Sequence, residues 1–202
     1  SNDVVSVSGA KDFTMHRDDL NGITPGGQRE LNYSSGFLNT AVSFQSGNTK
    51  QTTITTSAEL ARRTPGTQLL LDYLGNYSEV NSDQSANNQR VNLNYDIRLN
   101  RDWFIRAVQL EYYRDPLANI SSRLTGGSGA GYYIFDRDNL EWNVAAGPSY
   151  QYTKFDTVET GQDDTAKTVA GTFQSYFKVD ITRRLKFIDT LNSTVTKEDA
   201  GR

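Results

Sequence analysis

Along most of this chain, apolar and polar residues alternate at period two. The clearest run sets Val91, Leu93, Tyr95, Ile97 and Leu99 between Arg90, Asn92, Asn94, Asp96 and Arg98. Successive side chains of a strand point to opposite faces, so this period predicts a strand with one dry and one wet side. Similar runs recur from residue 29 onward. Leu38, Val42 and Phe44 oppose Asn39, Ser43 and Gln45, while Ile54, Ala58 and Leu60 oppose Thr53, Thr55, Ser57 and Glu59. Leu69, Leu71, Tyr73 and Tyr77 stand against Gln68, Asp72 and Asn76; Phe104, Val108, Leu110 and Tyr112 stand against Gln109 and Glu111. The stretch from Arg123 to Phe155 reads as two strands meeting at a polar turn, Asp136 to Asn139. Its first arm carries Gly126 to Gly131 and then Tyr132 to Phe135; its second sets Leu140, Trp142, Val144, Ala146, Tyr150 and Tyr152 against Glu141, Asn143, Ser149 and Gln151. Val169, Phe173, Phe177, Val179 and Ile181 face away from Thr168, Thr172, Gln174, Lys178 and Asp180. Leu185 to Val195 is less regular because Asp189 falls on its apolar side. This makes about nine strands.

The connections carry a second signal. Ser78–Gln89, Arg114–Ile120 and Asp156–Thr165 read as longer polar loops; Arg63–Gly66, Asn100–Asp102, Asp136–Asn139 and Thr182–Arg184 read as short turns. In an up-and-down meander alternate connections share an end, so one end has tight turns and the other extended loops, as in outer-membrane barrels. Segments of about 9 to 11 residues suit tilted strands crossing a bilayer. The expected fold is therefore all-β: an antiparallel up-and-down meander forming a transmembrane β-barrel over residues 28–202. Residues 1–27 read as the end of a small N-terminal β unit plus a linker. Val4, Val5 and Val7 suggest one short strand and Phe13 to Leu20 a second element, before Gly22, Pro25, Gly26 and Gly27 break the pattern. With nine strands the last lacks a partner on one side, so at least one further strand is expected, or pairing of that edge with another chain or a second copy.

Composition narrows the partners. Hydrophobic residues are 36%, yet there are 11 Tyr, 9 Phe and 2 Trp, a bias toward strands. No run of about 18 apolar residues occurs, which excludes a transmembrane helix. There is no cysteine, hence no disulfide scaffold, thiol catalysis or thiolate metal site. The net charge of −3 and the scattered Lys and Arg argue against nucleic acid.

If the apolar face meets outer-membrane lipid, Arg90, Asp96, Arg98, Glu111, Arg123 and Glu141 point into the lumen, where opposite charges pair and plug or line a narrow passage. Tyr73, Trp103, Tyr112, Trp142, Tyr150 and Tyr152 then fall in the interfacial girdles, where an amphipathic ring is half wet. Tyr77, Phe104, Tyr113, Tyr132 and Tyr133 fit the same girdles. The alternative is a soluble or peripheral β-sheet module that binds a protein partner in an envelope assembly, with the same charges as its solvated exterior.

Three stretches resemble a known family: Ser46-Gly47-Asn48-Thr49, Gly126 to Tyr133, and Ala145-Ala146-Gly147-Pro148-Ser149-Tyr150-Gln151-Tyr152. They are similar to the YdiY-like family, known as salt-induced outer-membrane proteins of Gram-negative bacteria, a domain of unknown function. The likeness covers about residues 34–200. It implies an outer-membrane barrel, often preceded by a small β domain; with the strand pattern, the expectation is a periplasmic N-terminal segment and a non-enzymatic role in envelope structure, salt or stress response, or narrow-pore transport. It brings no catalytic residues.

Chemistry is sparse. His16 is the only histidine and precedes the barrel region, so a histidine-based hydrolase is not expected. Gly126 to Gly131 lacks the Gly-Lys-Ser/Thr of a phosphate loop and opens a strand, so it reads as close backbone packing. Pro148 beside Gly147 predicts a bulge. The acidic groups Asp136/Asp138 and Asp156/Glu159/Asp163/Asp164 read as solvated loop charge, with weak Ca²⁺ binding as the lesser alternative. No catalytic residue, cofactor or metal is expected.

Overall fold

The structure is a computed structural model that describes residues 4–7, 13–16, 33–137, 139–182 and 185–196. Two short strands, β1 (Val4–Val7) and β2 (Phe13–His16), pair antiparallel as a hairpin of their own. The linker expected after it lies outside the described residues, as does the side chain of His16.

Nine further strands form one sheet in strict sequence order: β3 (Ser34–Gln45), β4 (Gln51–Arg63), β5 (Thr67–Val80), β6 (Asp83–Arg98), β7 (Trp103–Asp115), β8 (Ile120–Arg137), β9 (Leu140–Phe155), β10 (Thr165–Thr182) and β11 (Leu185–Thr196). Every neighbouring pair is antiparallel. The fold is the all-β antiparallel meander that the alternation implies. Between β7 and β8 lies a single 3-10 turn, Pro116–Ala118, and among the described residues no helix is long and apolar enough to cross a membrane.

Several local expectations need correction. Ser78–Gln89 is not a loop. β5 and β6 run on through it and meet at Asn81 and Ser82, both with left-handed backbone (φ 52° and 74°), as a two-residue hairpin turn requires. Both faces of that ribbon are polar, so the amphipathic signal disappears while the backbone pairing continues. The strands accordingly run for 12 to 18 residues, longer than the apolar segments suggest. What the apolar segments mark is a band in their middle. The difference between the two ends then rests mainly on the 156–164 connection, since the others described are short.

The phase of β7 also differs from the sequence reading. Its pairing with β6 shifts by one residue between Tyr95 and Asp96, opposite Val108 and Arg106, so Ala107 is a bulge. A one-residue insertion flips every side chain beyond it to the other face. Trp103 and Ile105 are therefore exposed with Val108, Leu110 and Tyr112, while Phe104 and Arg106 turn inward and are buried. Conversely, Pro148 makes no bulge. The β8–β9 register is the same on both sides of it, from Gly127↔Ser149 to Ala130↔Ala146. A missing amide interrupts the ladder there without adding a residue.

The sheet is rolled with its polar face inside. In a flat sheet β4 and β9 would stand five spacings apart, about 24 Å at roughly 4.8 Å each. Yet Arg63 on β4 reaches Glu141 on β9 at 3.5 Å. The burial pattern is inverted relative to a water-soluble sandwich. Buried residues include Asn94, Asp96, Arg106, Thr125, Glu141, Asn143, Ser149 and Thr153, whereas Leu38, Phe44, Leu60, Ile105, Leu110, Leu124, Phe173 and Val195 are exposed. The small apolar cluster inside, Phe104, Tyr133 and Ala145, occupies one patch of an otherwise polar interior.

Candidate functional site: the polar interior

The interior side chains fall into three levels. At the end of the short turns, Arg98 Nη1 donates to Asp136 Oδ2 at 2.7 Å and stacks over the Tyr133 ring, 4.5 Å from its centroid. Arg63 meets Glu141 there, and Asn143 Nδ2 also donates to Glu141, at 3.3 Å. Arg98 is shared between a carboxylate and an aromatic face, and the buried Glu141 between a cation and an amide, which is how charge becomes tolerable away from bulk water.

At the middle level Arg106 forms a two-pronged pair with Asp96. Its Nε donates to Oδ1 at 2.8 Å and its Nη2 to Oδ2 at 3.0 Å. The side chains are 6% and 11% exposed. The third guanidinium nitrogen, Nη1, donates to Gln174 Oε1 on β10, and beside it Thr172 Oγ1 donates to Gln109 Oε1 at 3.3 Å. Both contacts join β7 to β10 across the interior, over two intervening strands.

Those strands carry no side chains in the way. Gly127, Gly129 and Gly131 of β8 and Gly147 of β9 lie on the same face as Arg106 and Gln109 by register. A Cβ on Gly131 would sit 2.0 Å from Phe104 Cζ, and one on Gly147 2.0 Å from the Ser128 carbonyl oxygen. The glycine run expected to allow close backbone packing does so, and it forms the trough in which Phe104 and Arg106 lie.

The third level, toward the other end, is looser. Arg90 lies 3.8 Å from Glu111 and 5.0 Å above the Tyr113 ring. Asn92 Nδ2 donates to Asp72 at 2.8 Å, and Arg123 Nε to Thr153 Oγ1 at 3.2 Å. Side chains 48% and 34% exposed make Arg90–Glu111 a weak pair, on the order of 0 to 1 kcal/mol. The buried Arg106–Asp96 pair is the energetically sensitive one.

All six charged residues singled out in the sequence, Arg90, Asp96, Arg98, Glu111, Arg123 and Glu141, thus lie on this one face, each with a partner. Arg106 was missed because the bulge hides its phase. Its signal in the sequence is the adjacent pair Ala107-Val108, two apolar residues where alternation allows one. Among the described residues no three His, Cys, Asp or Glu side chains stand close enough to hold a metal ion.

The outward face is apolar apart from Asp189 on β11, which stands exposed opposite Phe177 as the sequence pattern implies. Of the aromatics assigned to this face, Trp103, Tyr112 and Tyr150 are exposed and Tyr73, Trp142 and Tyr152 half-buried. Tyr73 leans along its strand over Gly75, where its hydroxyl would be 2.5 Å from an added Cβ. Tyr113, Tyr133 and Phe104 face inward instead, as their charged neighbours show. At the short-turn end the outward rings form a row across five strands: Trp103 against Tyr132 (5.0 Å), then Phe135, Trp142, Phe177 and Phe187 in successive contacts of 6.2 Å. Trp142 Nε1 donates to Ser175 Oγ at 3.1 Å, so its indole N–H is satisfied within the row.

A rolled antiparallel meander, polar within and apolar without, defines the class of this chain: an inside-out β-sheet protein. Residues 38–201 match the family described as "Protein of unknown function, DUF481", and the chain belongs to that family, the YdiY-like one that its motifs resemble. No curated protein and no solved structure matches.

Proposed function

We propose that this chain is a bacterial outer-membrane β-barrel of non-enzymatic role, serving envelope structure, salt or stress response, or narrow-pore transport. The observation that carries the reading is the inversion of burial. Apolar side chains stand outward on all nine strands while charged and amide side chains pair inside. In water such a band would be an aggregation surface; in hydrocarbon it is the required exterior. The band is bounded. On β5 it runs from Leu69 to Tyr77, on β9 from Trp142 to Tyr152 and on β10 from Val169 to Val179, with Glu79, Lys154 and Lys167 beyond it on the same face. Each is about the 9 to 11 residues that span a bilayer.

The short turns face the periplasm in this reading, with the aromatic row at that interface and the N-terminal hairpin beneath it. β3 and β11 run in the same direction at the two open edges of the sheet. Antiparallel closure therefore takes one further strand running against both, or strand pairing with a partner or a second copy. The interior supports a structural or conduit role, because its charged groups satisfy one another instead of holding a nucleophile beside a base. The test is fractionation: the chain stays in the membrane pellet through an alkaline carbonate wash and is released by detergent. Recovery as a soluble monomer from washed periplasm overturns the proposal.

A further inference from the structure

We infer that Arg106 is a strut that closes the interior between β7 and β10, and that the Arg106–Gln174 and Gln109–Thr172 contacts are the constriction of any passage through it. The inference rests on the barrel reading and goes beyond it by naming where the interior is shut and by which side chains.

Three observations converge on this level. First, the two contacts span the interior, not adjacent strands, so they hold its walls together. Second, β8 and β9 present glycine at this level, Gly129 opposite Arg106 and Gly147 opposite Thr172, so neither adds a side chain between Arg106 and β10. Third, the space between these four side chains and the wall beneath them, at Gly129, Ala145 and Ala146, is a cavity of about 10 Å³, enough for one water molecule, so the strut lies close against β8 and β9.

The guanidinium suits this task. It is planar with a fixed fork of donors, so two nitrogens fix it to Asp96 while the third crosses to β10. Asp96 holds Arg106 upright and neutralises it, which makes the strut polar but uncharged overall. A solute meets it as a steric barrier and gains no counter-charge by passing.

The experiment is conductance in planar bilayers together with alkaline-wash retention, on the full chain and on Arg106→Ala, Gln174→Ala and Arg106→Lys. Arg106→Ala is expected to raise single-channel conductance several-fold. Gln174→Ala leaves the Arg106–Asp96 pair intact and frees only the crossing nitrogen, so it is expected to raise conductance less and to remain folded if Arg106→Ala does not. Arg106→Lys keeps the charge but cannot hold Asp96 with two prongs and reach Gln174 as well, so it falls between wild type and alanine. If Gln174→Ala and any folded Arg106 variant remain in the alkaline-washed membrane with wild-type conductance, the strut is overturned and the barrel stands. If wild type itself washes out of the membrane, the barrel reading fails and the strut with it.

Discussion

Asp96 and Arg106 are the residues whose loss this structure feels most. Truncating one member of a buried pair leaves the other unpaired, a cost of about 3 to 5 kcal/mol. Arg106→Ala and Asp96→Ala are each expected to destabilise by that order in denaturant titrations of the refolded protein in detergent. The double variant is expected to lose clearly less than the sum, because the stranded charge is gone; additivity would show that the pair is uncoupled. The glycines make a sharper contrast. A Cβ on Gly147 meets backbone 2.0 Å away, whereas one on Gly171 meets nothing within 4 Å. Gly147→Ala is expected to cost at least the 1 to 3 kcal/mol or so of an overpacked core, and Gly171→Ala close to nothing. Equal midpoints for the two would contradict the trough. At this scale the sequence was legible where alternation was unbroken, as for Arg90 to Arg98. It was not legible at Phe104 and Arg106, where the bulge at Ala107 has reset the phase; Tyr113 and Tyr133 keep the phase of Glu111 and Gly131, but their aromatic character pointed to the other face.

Strands announce themselves through amphipathicity, so the nine were visible only as far as the apolar band extends. β5 and β6 continue past it to a turn whose residues, Asn81 and Ser82, are not the Asn-Gly that marks such hairpins most plainly. Serine in the left-handed region at φ 74° costs about 1 kcal/mol relative to glycine. Ser82→Gly is therefore expected to stabilise by about that much, measured by the unfolding midpoint, and a fall in midpoint would exclude this turn. The same end of the sheet is clasped by two asparagines. Asn81 exchanges hydrogen bonds with Lys50: its amide N–H donates to the Lys50 carbonyl at 2.8 Å and its Oδ1 accepts from the Lys50 amide at 2.9 Å. Asn119 likewise donates to the Thr157 carbonyl and accepts from the Thr157 amide, both at 2.8 Å. Asn119→Ala is expected to release the 156–164 connection, seen as faster proteolytic cleavage confined to that loop. Unchanged cleavage would mean that the loop is held by other contacts. No pattern of hydrophobicity encodes such clasps, because they depend on which turns the meander brings side by side.

For the whole molecule, alternation predicts two faces and does not say which one is inside. A lipid-facing barrel and a water-soluble sandwich write the same period into a strand. Which face is inside follows from the roll of the sheet, carried by contacts such as Arg63 to Glu141 and Arg106 to Gln174 that no single strand contains. It comes also from where the aromatic row lies, on the outward side between Trp103 and Phe187. The 2 tryptophans, Trp103 and Trp142, are both in that row at one end of the apolar band. Fluorescence quenching in proteoliposomes by lipids carrying a quencher at a chosen acyl depth therefore tests the central claim directly. Both tryptophans are expected to be quenched strongly by a label near the headgroups and weakly by one at the bilayer centre, with aqueous acrylamide less effective than on the unfolded chain. Emission untouched by any lipid-borne quencher would mean that the apolar face meets protein, and would contradict the account.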